Sequence, residues 1–277
     1  VTTSTDQLSL FTSRASGIEP SSTELRAVIF NTQHAAATRA RAQVDWLAAQ
    51  QGADVLVLTE VGAGPGGDAL VRALGEAGYR SVVAPQGGGD YRTVLAARAA
   101  GLSAVSSPVT VMPYRFPLAR LTVAGRTVTI GGLYVPSRGS KERRNEDKRA
   151  FQSAVAAALP TLVKETSGLF VLAGDLNVLE PGHEPHYAVF GAWEYDFYRA
   201  FAGAGLIDAF RTLHPDAAEH SWFGRGGNPY RFDHAFAPAA HQHLIRSCSY
   251  LHEPRTAGLT DHSAMELTIA LKDEGKP

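Results

Sequence analysis

Cysteine is almost missing from this 277-residue chain, with Cys248 standing alone. That excludes an intrachain disulfide and a zinc cluster built on several thiolates. A reducing compartment fits this usage, and the expected location is the cytoplasm. Long apolar runs are missing too. No stretch approaches the roughly 18 to 20 residues that a membrane-spanning helix needs, and the first 24 residues hold too much Ser and Thr for the core of a secretion signal. A soluble protein without a membrane partner is expected, although a start at Val1 leaves room for a leader removed earlier. An excess of either charge is also lacking, because 26 Lys and Arg stand against 27 Asp and Glu, a formal charge of −1. No global cationic field draws such a chain to a polyanion, which has to be met by a local basic patch instead. Internal repeats are absent. The Gly-rich stretches Gly62–Gly67 and Gly87–Gly89 lack the Lys and the spacing of a phosphate-cradling loop and read as turns.

What is present is an apolar content of 44%, enough for a sizeable core. Residues 1–24 show no apolar periodicity and are expected to form a flexible tail, with a single domain from 25 to 277 and a monomeric chain. Leu25–Phe30 and Asp54–Leu58 read as buried strands flanking a helix within Ala36–Gln51. A short helix around Asp68–Ala77 and strands near Arg80–Ala84 and Thr93–Ala97 follow. Leu118–Val123 and Arg126–Tyr134 form a hairpin around Ala124-Gly125. Asn145–Glu165 carries Phe151, Val155, Leu159 and Leu162 on one helical face, and Pro160 is expected to kink or end it. Leu169–Ala173 is another buried strand, a helix spans Trp193–Ala204, and three strands are expected near Arg231–Ala237, Arg246–Tyr250 and Ala264–Leu271. Strands mixed with helices, joined by hairpins and crossovers, indicate an α/β sandwich with helices outside the sheets.

Polar residues recur where apolar strands end, the place where side chains leave the core for a cleft. Asn31 follows AVIF, Glu60 follows VLVLT, and Tyr134 ends TIGGL. Asp175 and Asn177 follow VLA in the segment GDLN, Asp233 lies within YRFDHAF, and Asp261-His262 precedes SAMELTI. Any one of them reads as a turn or cap residue. Together they supply carboxylates, two amides and one imidazole, a set of hard donors that suits Mg²⁺ or Mn²⁺ better than zinc.

In order, the segments FN (Asn31), LVLTE (Glu60), GLYVPS (Tyr134), GDLN (Asp175, Asn177), GLIDAF (Asp208), SWFGRGGNPYRFDHAF (Asp233) and TDHSAM (Asp261, His262) resemble the endonuclease/exonuclease/phosphatase superfamily. Within it they are most similar to the exonuclease III-like branch of abasic-site endonucleases. The resemblance runs from about Leu25 to Leu271 and implies a four-layer α/β sandwich, two mixed β-sheets packed together with helices outside. It also implies Glu60 as the main carboxylate on a divalent metal, with Asn31 and Asp261 beside it. Asp175 would activate the attacking water, Asn177 would hold that water or a phosphoryl oxygen, and Asp233 would orient and charge His262. Tyr134 would reach the phosphate or the leaving oxygen. A carboxylate partner keeps an imidazole cationic where negative charge accumulates, which gives the Asp233–His262 pairing independent physical support.

Several positions depart from the DNA-acting pattern. Gln33 stands where such relatives carry Asn or Asp, Thr59 replaces a Gln before Glu60, and the connection after Phe223 is short. Trp222, Phe223, Arg225 and Tyr230 are nonetheless candidates to contact a base or sugar, or equally a packed aromatic turn. Arg138 and the run Lys141–Arg144, with Lys148-Arg149, could line the rim of the cleft or form a solvated helix face. His183 and His186, close after GDLN, could contact substrate or a second ion. The expected function is a Mg²⁺- or Mn²⁺-dependent phosphodiesterase acting on nucleic acid, with a small phosphate ester as the alternative substrate. A non-catalytic binding module is a third reading, and it would need no such set of acid, base and metal donors.

Overall fold

The computed structural model describes residues 23–50, 53–86, 91–99, 101–138, 142–166 and 168–272. The tail expected over residues 1–24 lies outside these up to residue 22, and Glu24 already opens the first strand. The β-branched runs become β1 (Glu24–Asn31) and β2 (Val55–Gly62), parallel neighbours joined by α1 (Ala37–Ala49). Then come α2 (Pro65–Glu76), β3 (Ser81–Val83), β4 (Tyr91–Ala97), β5 (Ser103–Val105), β6 (Leu118–Val123) and β7 (Arg126–Tyr134). Ala124 and Gly125, both at positive φ, close the β6–β7 hairpin as the two-residue turn that right-handed strand twist favours. A second crossover runs through α3 (Glu142–Glu165) to β8 (Leu169–Asp175), parallel to β7.

The remainder comprises α4 (Ala192–Gly203), β9 (Leu206–Asp208), α5 (Ala209–Leu213), β10 (Trp222–Phe223), β11 (Pro229–Tyr230), β12 (Asp233–Pro238), β13 (Ile245–Leu251), α6 (Glu253–Thr256) and β14 (Ala264–Ala270). Pro160 does not end α3, which continues to Glu165. Phe151, Val155, Leu159 and Leu162, on both sides of the proline, are buried in one apolar cluster, and that packing outweighs the local defect. Among the described residues no helix is long and apolar enough to cross a membrane.

The strands form two six-stranded mixed sheets, in the orders β13, β14, β1, β2, β4, β3 and β5, β6, β7, β8, β12, β9. Each has one parallel pair at its centre, β1–β2 in the first and β7–β8 in the second, with antiparallel pairs outside. Side-chain alternation sorts the apolar residues into three cores. Leu25, Ala27 and Ile29 of β1 face inward and join Val55, Val57, Ile130, Val171 and Ala235 in the core between the sheets. Val28 and Phe30 face outward with Leu56 and Leu58, against Val44 and Leu47 of α1 and Leu70 and Leu74 of α2. Phe170, Leu172 and Phe236 face outward on the second sheet against α3 and α4. Helix, sheet, sheet, helix is the four-layer order expected from the sequence.

Glycine is required where the layers approach most closely. A Cβ on Gly132 of β7 would lie 2.4 Å from Thr93 Cγ2 across the sheet interface. Gly174 has φ +149°, and a Cβ there would lie 2.0 Å from the Leu133 carbonyl oxygen of the neighbouring strand. That oxygen is backbone and cannot yield as a side chain would. Gly174→Ala should therefore cost roughly 3 kcal/mol or more, combining left-handed strain with a steric clash. Urea unfolding of the variant checks this, and an unchanged midpoint would contradict it.

Candidate active site

Each parallel pair ends in two of the polar residues singled out in the sequence, and these ends meet across the sheet interface. Tyr134 Oη at the end of β7 donates to Glu60 Oε1 of β2 at 2.8 Å. Asn31 Nδ2 at the end of β1 donates to Asp175 Oδ2 of β8 at 3.0 Å. Asp233 opens β12 directly opposite Asp175 in antiparallel register. The turn before β14 brings His262 to the same point, with Nδ1 2.7 Å from Asp233 Oδ2 and Nε2 3.5 Å from Asn31 Nδ2. The backbone N–H of Gln33 donates to Asn31 Oδ1 at 2.8 Å, which fixes the orientation of the Asn31 side chain and aims its NH₂ at Asp175.

Burial governs the electrostatics, because Asp175, Asp233 and His262 are all withdrawn from water. Burial first, and then the charges of Asp233 and Glu60, raise the Asp175 carboxyl well above the usual carboxylate range. Burial opposes charge on His262, but the Asp233 carboxylate outweighs it and lifts the imidazole above its ordinary value. The result is a basic carboxylate beside a cationic ring. The Tyr134 hydroxyl is pushed up by burial and by Glu60, so it stays protonated and able to donate.

Backbone strain collects at the same place. Glu60 sits at a β-bulge between β2 and β4 with φ +56°, and Asn177 has φ +48°. The Asn177 amide N–H donates to Asp175 Oδ1 at 2.8 Å, and its Nδ2 lies 3.0 Å from the Val135 carbonyl and 3.2 Å from Asp175 Oδ2. What that side chain has left to offer is its Oδ1 acceptor. Gln33 turns away from the cluster, its Oε1 accepting from Arg39 at 2.5 Å.

The donor set fits a hard divalent cation. Asp261 Oδ2 accepts from the Trp222 indole at 2.9 Å, while its Oδ1 and Asp233 Oδ1 are buried with no partner. Orphaned carboxylate oxygens beside an acidic cluster are what a cation would satisfy. Ligand atoms of Asp175, Asp233 and His262 also lie within 4.8 Å of one another. His262 Nδ1 and Asp233 Oδ2 already satisfy each other, which leaves the carboxylate oxygens of Glu60 and Asp261, both lining one cavity, as donors that could hold such a cation.

A cavity of about 280 Å³ lies over this cluster, lined by Glu60, Asp175, Asn177, Asp261 and His262 on its polar side. Trp222, Tyr230, Phe232 and Phe190 form an aromatic wall, with Tyr230 5.1 Å from Phe232 and 5.3 Å from Trp222 between ring centres. Of the residues expected to contact substrate, Arg138, Trp222 and Tyr230 line this cavity. Phe223, the alternate residue of β10, faces away beneath Arg255, whose guanidinium lies 4.5 Å from its ring. Arg225 is exposed in the β10–β11 connection, His186 is exposed, and His183 is buried beside a different cavity. Nor do these four line the catalytic cavity.

Three supports were not apparent from sequence. Lys148, read as part of a basic rim, is completely buried. Its Nζ donates to the Asn177 carbonyl at 2.7 Å and to Glu194 at 2.6 Å, and Glu194 also accepts from Arg138 at 3.2 Å. Lys141 lies outside the described residues, and so do the side chains of 142–144. Arg115 packs its guanidinium 4.5 Å from the Tyr134 ring centre, and its buried Nε and Nη1 have no hydrogen-bond partner among the described residues. Arg231, just before Asp233, is fully buried. It binds both Glu180 oxygens, at 2.9 and 2.6 Å, and Asp208 at 2.7 Å. Asp208 therefore holds the wall of the site and caps α5 by accepting from the Arg211 amide.

With this geometry in place the class is defined: the chain belongs to the Endonuclease/Exonuclease/phosphatase family, whose model matches residues 28–262. It is thereby a hydrolase of phosphate esters. Similar solved structures include an AP endonuclease from Archaeoglobus fulgidus, with 19% identity, TM-score 0.72 and coverage of 88% of this chain and 99% of that one. The 3′ phosphatase NExo from Neisseria, bound to a product DNA hairpin, has 20% identity, TM-score 0.73 and coverage of 88% and 98%. The AP endonuclease LMAP from Leishmania major has 18% identity, TM-score 0.69 and coverage of 89% and 88%. No curated protein matches the sequence.

The Arg231 network makes a pH prediction. Burial opposes ionisation of Glu180, but hydrogen bonds from Arg211 and Arg231 outweigh it and hold the carboxyl at about 2. Asp208 is likewise held well below the usual range, burial being overcome by Arg231 and His234. Both groups bind protons more weakly folded than unfolded. Their stabilisation is complete above about pH 5, where both carboxyls are ionised even when unfolded, and is lost as pH falls toward the folded values. Stability from denaturant unfolding should decline between about pH 5 and 2. Arg231→Met should lower it at neutral pH by about 3–5 kcal/mol by stranding two carboxylates, and should flatten the acid decline.

Proposed function

We propose that this chain is a Mg²⁺- or Mn²⁺-dependent phosphodiesterase that hydrolyses phosphodiester bonds in nucleic acid. The observation that carries the reading is the Asp233–His262 pair, closed at 2.7 Å and set beside the basic carboxylate of Asp175, at the floor of an aromatic-walled cavity. DNA-acting structures with the same fold lend support, among them the AP endonucleases and the 3′ phosphatase with its DNA product.

A phosphodiester repels its nucleophile through its own charge, so the site must neutralise that charge and orient the attack. A divalent cation on Glu60 and Asp261 would supply positive charge to a phosphate oxygen. Asp175 accepts the proton of the attacking water, and its raised proton affinity matches that task. Asn31 and Asn177 hold the Asp175 carboxylate in one orientation through bonds of 3.0, 2.8 and 3.2 Å. His262 presents Nε2 to a non-bridging oxygen while Asp233 keeps the ring charged. The Tyr134 hydroxyl, whose hydrogen here goes to Glu60, would turn to the phosphate when a cation occupies that carboxylate, and Arg115 against its ring adds positive potential. Trp222 and Tyr230 offer faces on which a base or sugar can stack.

Asp175→Asn and His262→Ala should each reduce Mg²⁺-dependent cleavage of labelled abasic, nicked or single-stranded oligonucleotides by about 10³-fold while the circular dichroism spectrum is retained. Undiminished cleavage by either variant overturns the mechanism. A small phosphate ester is the second reading, favoured by the single Lys or Arg side chain that lines the cavity among the described residues, Arg138, which is itself bonded to Glu194. Ionic strength separates the two. A nuclease spanning several phosphates should lose affinity with a log–log slope of roughly 0.7 to 0.9 per phosphate neutralised, whereas turnover of a small ester should respond weakly.

A further inference from the structure

A cavity of about 550 Å³ lies between the segment that follows Asn177 and the loop that leads into β10, and it shares no lining residue with the catalytic cavity. His183 and His220 line it together with Glu184, Asp216 and Glu219. We infer that His183 and His220 form a binding site for a transition-metal ion of the zinc class, separate from the oxygen-donor site of the catalytic cleft.

His183 is 7% exposed, and its Nδ1 lies 3.1 Å from the Pro185 carbonyl oxygen. A carbonyl only accepts, so the ring hydrogen is on Nδ1 and Nε2 carries a bare lone pair. That Nε2 is buried and has no partner. A buried acceptor left unpaired is unfavourable unless something meets it. An imidazole fixed through one nitrogen to a carbonyl, with the other nitrogen free, is how proteins present histidine to a metal. Burial lowers the proton affinity of the ring, which favours the neutral form that coordinates.

The second imidazole is at the right separation. The ring centres of His183 and His220 are 5.6 Å apart, edge to face at 68°. Two imidazoles on one tetrahedral zinc, with bonds of about 2.0 Å, place their ring centres about 5.2 Å apart, so a small adjustment brings both to one ion. The surrounding carboxylates differ in availability. Glu180 is committed to Arg211 and Arg231, and Glu219 accepts from the His220 amide and lies 3.3 Å from His252. Glu184 and Asp216, exposed on the rim of the cavity, can rotate in to complete the coordination. Two nitrogens and a carboxylate select zinc, cobalt or nickel over magnesium. An ion there would tie the segment after Asn177 to the loop carrying Trp222, and so steady the aromatic wall.

Isothermal titration of the whole chain with Zn²⁺, in millimolar Mg²⁺ to occupy the oxygen donors of the cleft, tests the inference. One zinc should bind, His220→Ala should weaken it by about tenfold or more, and Glu60→Gln and the exposed neighbour His186→Ala should leave it unchanged. Because His220 is only half-buried, its removal does not empty the core. Co²⁺ in place of Zn²⁺ should give a visible four-coordinate spectrum that disappears in His220→Ala. Absence of zinc binding overturns the inference. So does zinc lost in Glu60→Gln but retained in His220→Ala, which would put the ion in the catalytic cleft.

Discussion

Two carboxylates, Asp175 and Asp233, stand opposite one another on adjacent strands, both shut away from water, and the surrounding architecture answers to the repulsion between them. Such a pair is tolerable only if positive charge is placed between or beside its members. His262 takes that position on one side, and Asn31 and Asn177 point amide hydrogens at Asp175 from the other. The same balance raises the proton affinity of both Asp175 and His262, which sets a carboxyl group able to take up a proton beside an imidazole that holds its own. A hydrolase of phosphate esters can use both, one as an acceptor for a proton of water and the other as positive charge for the phosphate.

Rigidity comes from behind. Ser221 accepts at Oγ from the amides of Phe232 and Asp233, and its carbonyl accepts from Ser263, so one buried serine ties β12 to the turn that carries His262. Arg231 anchors the start of the same strand in a cage of Glu180, Asp208, Tyr198 and Tyr250. Lys148 does the equivalent for the GDLN segment by capturing the Asn177 carbonyl from α3. Each catalytic strand end thus has a buried cation or hydroxyl behind it, and none relies on loop conformation alone.

Most of the fold was legible because the strands are long apolar runs that end abruptly at polar residues, and the four-layer arrangement follows from β1, β2, β7 and β8 once their connections are helical. The cluster of polar residues at the candidate site was legible for the same reason, as Asn31, Glu60, Tyr134 and Asp175 stand at the ends of those four strands. The small elements were not. β9, β10 and β11 are two or three residues long and owe their existence to partners far away, as in the bridge between Trp222 and His262. Lys148 was misread because a charged residue within a basic run carries no local sign of being buried by α4. Arg115 offered no signal, since only the folded chain puts its guanidinium under Tyr134. For Phe223, the alternation of a two-residue strand decided that it faces away from the cleft, and that strand was invisible in the sequence, while Arg225 falls in the turn beyond it.

The bonds that close the site span 74 residues between Tyr134 and Glu60, 144 between Asn31 and Asp175, and 229 between Thr260 and the Asn31 carbonyl. No fragment shorter than residues 31–260 contains both members of all three. Completion of the site therefore rests on the longest-range strand pairing of the fold, between β1 and β14, and no local stretch of chain can assemble it alone.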